Sequence, residues 1–582
     1  MLRRRWIQLG LVAITWIALG QVVLFDFVSY DDPWYVTGNP HVKSGLQLEQ
    51  ITWALTTDLT GNWAPLTWWS LMLDAEIFGI DARGFHLTNL ILHTFNALLL
   101  YAALRALTKQ DGPSAFAAAL FAVHPLNVEA VAWVSERKEL LAACFGLMAI
   151  WTYARFVTTR RVRWYVLTCL AFVCSLSSKQ MWVTLPCVLL LLDFWPLGRL
   201  QGAPADAAPS EDPPSNGGEA EQTSTNGNGA AERATVWRLV GEKIPLFLLT
   251  VLFCVAIFAF QRGQGSVQSL AQLSLEARLV NAVTVYAIYI RKMFWPMDLA
   301  FFYPHPGATI SHWHAALAGA ILLAISAGVI LLRRRGPFLI VGWLWYLGTL
   351  VPVIGLIQVG RQQMADRYTY FPLIGLFIAL TWGTCAVVPQ HRFRRIILAA
   401  LGACVLLPAM VLTQRQASHW SESTRLFSHA LEVTEDNAFA HTNLGGALQK
   451  EGRLTESIAQ HEAAIEIDPT EAMYHYNLAF TLVSLERFDE AIERFQKAVE
   501  FLPESPLPYF QLGSLYYRRG DATAAAGYLR QALERDPEFA EAHHRLGRLL
   551  QRQGDAERAQ YHLGQAMQLR PDLFPNERDA SP

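Results

Sequence analysis

The chain has 582 residues, enough for several domains, and 52% of them are apolar against 16% charged, a membrane-protein balance that excludes a chain soluble throughout. Its formal net charge of −2 singles out no partner, and no nucleic-acid partner is expected. The distribution of charge says more, because Lys and Arg gather in short clusters between apolar runs.

In chain order, Arg3-Arg4-Arg5 precede an apolar run, Ile7 to Val28, that is too long for a cleavable leader, so an uncleaved anchor is expected. The run gives way to Phe25-Asp26-Phe27-Val28-Ser29-Tyr30-Asp31-Asp32-Pro33-Trp34-Tyr35, which places Asp31 and Asp32 just outside the hydrocarbon. A carboxylate pair there can take a proton from an acceptor hydroxyl, hold a divalent cation or hydrogen-bond a sugar. Equally, Asp32 before Pro33 is an ordinary helix start, an N-cap followed by a first-turn proline.

Runs of about 20 mostly apolar residues are candidate spans. They fall at Ile7 to Val28, Phe85 to Leu107, Ser114 to Trp133 (interrupted by His124-Pro125), Leu140 to Phe156, Trp164 to Leu176 and Met181 to Trp195. Others run from Lys243 to Phe260, Trp313 to Leu332, Phe338 to Ile357, Phe371 to Val388 and Ile396 to Thr413, eleven in all. Eleven spans put Arg3 to Arg5, Arg160-Arg161 with Arg163, Arg333 to Arg335 and His391 to Arg395 on the cytoplasmic side. The acidic loop and everything after Thr413 then lie outside. Leu275 to Trp295 is apolar on one face but carries Arg278, Arg291 and Lys292, and is expected as an amphipathic helix at the outer interface. The seven cysteines all fall within apolar runs and read as small hydrophobes, not as disulfides or a zinc site.

Gln201 to Arg233 has no apolar period and reads as a disordered cytoplasmic linker over 201–236, dispensable for insertion and activity. From about Trp420 the composition becomes that of a soluble helical array. Pro469, Pro503, Pro537 and Pro571 recur every 34 residues, as do Leu444-Gly445, Leu478-Ala479, Leu512-Gly513 and Leu546-Gly547. That is the tetratricopeptide period. The predicted fold is therefore all-α: a polytopic membrane domain over 1–413, a connector resembling a degenerate repeat over 414–437, four repeats over 438–573 and a tail over 574–582.

Several polar residues sit where spans meet the outer side. His86, Asn89, His93 and Asn96 share one face of the second span, where they line a cavity or bond helix to helix. His124, Pro125 and Glu129 interrupt the third, and Arg137, Lys138 and Glu139 open the fourth. Lys179 lies between the fifth and sixth, and Arg361, Asp366, Arg367 and Tyr368 precede the tenth. Singly, each cation reads as a lipid-head-group anchor. Together Arg137, Lys138, Lys179, Arg361 and Arg367 around an acidic pair suit a phosphate-bearing substrate.

The Tyr30-Asp31-Asp32 loop, Trp63-Ala64-Pro65-Leu66-Thr67, Phe85-His86-Leu87-Thr88-Asn89, the run His124 to Glu139, Ser178-Lys179-Gln180 and Ala365-Asp366-Arg367-Tyr368, followed by the array, resemble the transmembrane and tetratricopeptide repeat family. That family consists of protein O-mannosyltransferase-like GT-C enzymes. The resemblance covers nearly the whole chain except the linker, which with the lack of paired cysteines fits a bacterial version in the inner membrane. It implies a polyprenyl-phosphate sugar donor, inversion at the sugar carbon, a protein acceptor held by the array, and a catalytic acidic pair mapping onto Asp31 and Asp32. His86, Asn89, His124, Glu129, Glu139, Asp366 and Tyr368 would line the site. No cofactor is expected beyond the divalent cation that the acidic pair can hold. Asn443 and Asn477, at one position of successive first helices, look like the asparagine ladder with which some tetratricopeptide glycosyltransferases hold a peptide backbone; Gln511 continues it and Arg545 departs. A non-enzymatic scaffold for envelope assembly and a transferase acting on a lipid-linked glycan are the alternatives.

Overall fold

The structure, a computed structural model, describes residues 2–57, 59, 63–200, 236–263, 273–307, 311–358 and 360–571, with no side chains over 257–263. The expected linker, apart from its last residue, and the tail beyond 571 lie outside the described residues. The fold is all-α, and among the described residues the one sheet pairs Tyr303–Pro304 with Gln362–Met364. Two compact units divide the chain, Met1–His429 and Ala430–Pro582.

All eleven expected spans are apolar helices in the first unit, but they differ in length. Leu2–Leu24, Ala82–Thr108, Val134–Thr159, His312–Leu332 and Arg394–Ser418 are long and apolar enough to cross a membrane. A helix satisfies its own backbone in hydrocarbon, which is why such runs take this form. Asp111–Val123 and Pro125–Ala132 form a sixth candidate bent by 57°, because Pro125 follows His124 and has no N–H to continue the helix. Of the other five, Val162–Ser178, Gln180–Phe194, Pro337–Leu350 and Pro372–Val387 have 10–17 residues. At about 1.5 Å per residue these four fall short of a bilayer core of about 30 Å, whereas the fifth helix, Ile244–Gly263, has 20 residues and reaches it.

The helices meet closely where side chains are small. A Cβ on Gly342 would stand 2.3 Å from the Gly375 carbonyl oxygen, and one on Gly375 2.5 Å from that of Gly342, so Pro337–Leu350 and Pro372–Val387 touch through their backbones. Leu275–Phe294 buries two of its three cations on the same face as Val285, Tyr289 and Met293. Arg278 and Lys292 are buried, and Leu275, Leu279 and Phe294 are exposed. Arg278 donates to the Leu273 and Leu356 carbonyls and Lys292 to that of Asp298, so protein, not water, takes up the charged groups.

The expected connector goes with the first unit through His429. The Ser29 N–H donates to Ser423 Oγ, the Asp26 N–H donates to the Ser421 carbonyl, and Phe427 packs on Phe301. In the second unit four helix pairs run from Ala438–Lys450 with Leu454–Ile467 to Ala540–Arg552 with Ala556–Leu569. The repeated small residue has a visible cause: a Cβ on Gly445, Gly513 or Gly547 would lie 2.6–2.8 Å from His461, Leu529 or Leu563 of the paired helix.

Where the chain leaves and re-enters at the linker, a buried ionic cluster joins the two ends. Arg199 donates to Asp193 at 3.0 Å and to both oxygens of Glu242, Lys243 is paired with Asp193, and the Tyr153 hydroxyl lies between them. Breaking a buried pair from one side leaves an uncompensated charge and costs about 3–5 kcal/mol. Lys243→Met should lower the apparent melting temperature of the detergent-solubilised protein markedly, while Arg453→Met, at an exposed pair, should leave it nearly unchanged.

Candidate functional site

The acidic loop is built differently from a helix cap. Pro33–Thr37 forms one π-helical turn, and Asp32 at its N-cap makes no side-chain cap bond; the Asp31 carbonyl accepts from the Trp34 and Tyr35 N–H groups instead. The Asp32 carboxylate turns inward. One oxygen accepts from the Ser135 N–H at 3.0 Å and the Ser135 hydroxyl at 2.5 Å, and the other accepts from the Val28 N–H at 3.0 Å. Ser135 lies in the Val134–Glu136 turn that opens the Arg137–Thr159 helix. The acidic loop is thereby tied to the start of that helix.

Asp31 points elsewhere. Its carboxylate is half-buried and accepts no hydrogen bond among the described residues. Burial raises its pKa, against the fields of Lys138 and Arg367 that lower it, with Glu136 adding to the rise. It is therefore the member of the pair left available to a proton or a cation.

Three cations surround one carboxylate, Glu136. Lys138 Nζ lies 3.3 Å from it, Lys179 Nζ 2.8 Å and Arg367 Nε 3.2 Å. Glu139 is 3.0 Å from Lys179, while Glu129 pairs with the Arg367 guanidinium and also accepts from the Arg367 N–H at 2.8 Å. The sequence gives Glu136 and Glu139 a reason to be here, since carboxylates at a helix N-terminus meet its positive end. An aromatic platform carries the cations. Arg367 lies 5.3 Å from the Trp133 ring centroid and 5.1 Å from that of Tyr368, and Lys138 lies 4.7 Å from that of Tyr35. Tyr30 stacks on Trp133 at 5.0 Å.

The remaining expected site residues take other places. Arg137 is fully buried: it pairs with Asp74 at 2.7 Å, donates to Ser70 and to the Phe85 carbonyl, and is bonded to Asn89. That set of partners occupies its guanidinium within the protein and sets it apart from the rim cations. Asn89 also donates to the Val131 and Trp133 carbonyls, His86 meets the Asp26 carbonyl, and His124 meets that of Met293. His93 bonds the Tyr370 hydroxyl and the Ala122 carbonyl, and Asn96 donates to the Leu140 carbonyl. These are interhelical ties. Asp366 is buried, accepts from the Tyr303 hydroxyl at 2.9 Å, and burial pushes its pKa up to about 7 despite Lys292. Arg361 is exposed beyond the strand pair, its carbonyl accepting from the His305 N–H.

In the array, Asn443 donates to the Phe439 carbonyl of its own helix, Asn477 to Thr442 of the preceding first helix, and Gln511 to the Tyr476 hydroxyl. All three side chains are half-buried along adjacent first helices.

Residues 62–199, which include most of this rim, match the family described as dolichyl-phosphate-mannose-protein mannosyltransferase, and residues 436–504, 469–538 and 516–575 match the tetratricopeptide repeat. The resemblance expected from the sequence stands. Protein O-mannosyl-transferase TMTC1 of Homo sapiens is 24% identical over 486 residues, covering 75% of this chain and 52% of that protein. Protein O-mannosyl-transferase F38B6.6 of Caenorhabditis elegans is 23% identical over 460 residues, 73% of this chain and 58% of that protein. The Tmtc1 protein of Drosophila melanogaster reaches 32% identity over 140 residues, 24% of this chain and 16% of its own. The chain thus spans about half the length of the curated relatives it matches most fully. Among solved structures, MamA is 20% identical over 27% of this chain and 88% of its own, with a TM-score of 0.24. The likeness to mannosyltransferases and the long apolar helices make this a membrane protein.

Asp32 gives a measurable signature. Burial pushes its pKa from 3.8 up to about 6, overcoming the three hydrogen bonds that favour the anion. The folded chain holds this proton until about pH 6, while the unfolded chain releases it near 3.8. The group's contribution to stability is therefore full below pH 3.8 and is lost as pH rises through 6, by on the order of 3 kcal/mol. Thermal midpoints of wild type and Asp32→Asn, compared between pH 4 and 7.5, should converge or cross as pH rises, the wild type losing ground; parallel curves would contradict this.

Proposed function

We propose that the protein is a membrane glycosyltransferase of GT-C type that moves mannose from a polyprenyl-phosphate donor to a Ser or Thr hydroxyl of a protein acceptor. The observation that carries this reading is Asp31, a half-buried carboxylate without a hydrogen bond among the described residues, beside a rim of cations. Asp31 takes the hydroxyl proton as the oxygen attacks the sugar carbon. The bond from that carbon to the phosphate oxygen breaks, and the lipid phosphate leaves with the bonding pair. A single displacement inverts the sugar carbon. Lys138, Lys179 and Arg367 stabilise the departing phosphate, with Glu136 holding them in place beforehand. Asp32, bound to Ser135, orients the base.

The printed names of the relatives support the mannose and the protein acceptor, and the basic clusters, on the count of eleven spans, support a cytoplasmic amino-terminus with the array outside. The array holds the acceptor through Asn443, Asn477 and Gln511. Should a divalent cation assist, Asp31 is the ligand the acidic pair has to offer.

Purified protein in liposomes, given polyprenyl-phosphate mannose, tests the assignment. Asp31→Asn should lower turnover by roughly 10² to 10⁴ fold, the range of general-base catalysis, with the protein still folded. Activity of the wild type should fall with decreasing pH at a pH above that of an ordinary aspartate, because protonation removes the base. Undiminished transfer by Asp31→Asn would sink the reading, and loss on chelation would assign a cation to it.

Asn443→Ala combined with Asn477→Ala should weaken a protein acceptor and spare a short peptide or hydrolysis of the donor. Equal loss on all would place these residues in structure alone.

A further inference from the structure

Charge is divided unevenly within the array. The four first helices, Ala438–Lys450, Ala472–Ser484, Pro506–Arg518 and Ala540–Arg552, carry five cations and one carboxylate, Glu541. The four second helices carry nine carboxylates and five cations. The first helices lie side by side. Gln449 donates to Ser484, Asn477 to Thr442 and Gln511 to the Tyr476 hydroxyl, each bond joining one first helix to the next. They form one continuous face whose charge is positive, with the cations concentrated in its last two repeats.

Three arginines there have aromatic neighbours and no acidic ones. Arg545 lies 5.3 Å from the Phe510 ring centroid, Arg552 5.1 Å from that of Tyr517 and Arg518 5.0 Å from that of Phe488. Among the described residues, no carboxylate is within ion-pair distance of any of the three, whereas Arg453, Arg487, Arg519 and Arg558 elsewhere in the array each have one. Burial, against the opposing field of Tyr517 and with the nearby Arg518 adding to it, makes the charge on Arg545 less favourable than in water. Held within cation–π distance of rings, the guanidiniums lose freedom before any partner arrives, and their donors remain to be used.

We propose that this first-helix face docks an extended polypeptide segment rich in Asp and Glu, whose carboxylates meet Arg518, Arg545 and Arg552 while amides farther along the face meet its backbone. Guanidinium forks suit carboxylates, and the half-buried position of Arg545 makes its pairing worth more than one in open water. The inference rests on the reading that the array engages a polypeptide and names the chemistry of that polypeptide; it does not depend on sugar transfer.

The full-length protein in nanodiscs is titrated with a fluorescent Gly-Ser peptide bearing four Glu residues, and with matched peptides bearing Gln, Lys or phosphoserine in their place. The Glu peptide should bind at least roughly tenfold more tightly than the Gln peptide and weaken with salt, as expected for several charge-assisted contacts. Arg518→Gln with Arg545→Gln and Arg552→Gln should remove that preference. Arg545→Lys should retain most of it, and Arg558→Gln, on a second helix, all of it. Asp31→Asn should bind like wild type, so that failure of the catalytic reading is distinguishable from failure of this one. Equal binding of Glu and Gln peptides, an unaffected triple variant, or binding confined to the phosphoserine peptide would overturn the proposal.

Discussion

Asp32 joins two stretches 103 residues apart, with both donors of Ser135 on one oxygen and the Val28 amide on the other. That junction, with Tyr30 stacked on Trp133, ties the loop after the first span to the segment that carries the cations. With it, the residue after Ser135 is Glu136, and Glu136 gathers Lys138, Lys179 and Arg367 from three separate parts of the chain. One carboxylate, Asp32, therefore ties the acidic loop to the cationic rim, while its neighbour Asp31 accepts no hydrogen bond among the described residues. Adjacent, chemically identical residues have been given opposite work by what surrounds them.

The same helix start separates two charge systems. Glu136 reaches the rim, and the next residue, Arg137, turns to Asp74, Ser70 and Asn89 in the interior. A buried arginine with a full set of partners stabilises little in itself, because desolvation offsets the attraction. It does specify geometry, since any displacement of Pro65–Phe78, which carries Asp74, relative to Arg137–Thr159 would strand one of the charges. Trp133 works similarly at the rim, with Tyr30 stacked on its ring and Arg367 within cation–π distance of it.

The helical runs and the repeat array were legible in the sequence, because hydrophobic length and a 34-residue period are written locally. The acidic loop and the rim segments were also legible as stretches. What the stretches do individually was not. Arg137 and Lys138 are sequence neighbours of one charge type, and only the fold shows that one faces Asp74 and the other Glu136. Asp32 has the sequence of a cap, yet its partner lies far along the chain. Glu136 was overlooked because an acid among cations reads as an ordinary ion pair; three converging cations are a tertiary fact. For the Leu275–Phe294 helix, likewise, periodicity gives a polar face but not that protein covers Arg278 and Lys292.

The cluster of Asp193, Arg199, Glu242 and Lys243 bears on how this chain can change over evolutionary time. It binds the residues on either side of 201–235 to one another, so the two ends of that stretch are held together whatever its length. Closure entropy grows only with the logarithm of loop length, about 0.6 kcal/mol for each doubling. On that arithmetic, lengthening the stretch between Arg199 and Glu242 adds little to the cost of folding the membrane unit.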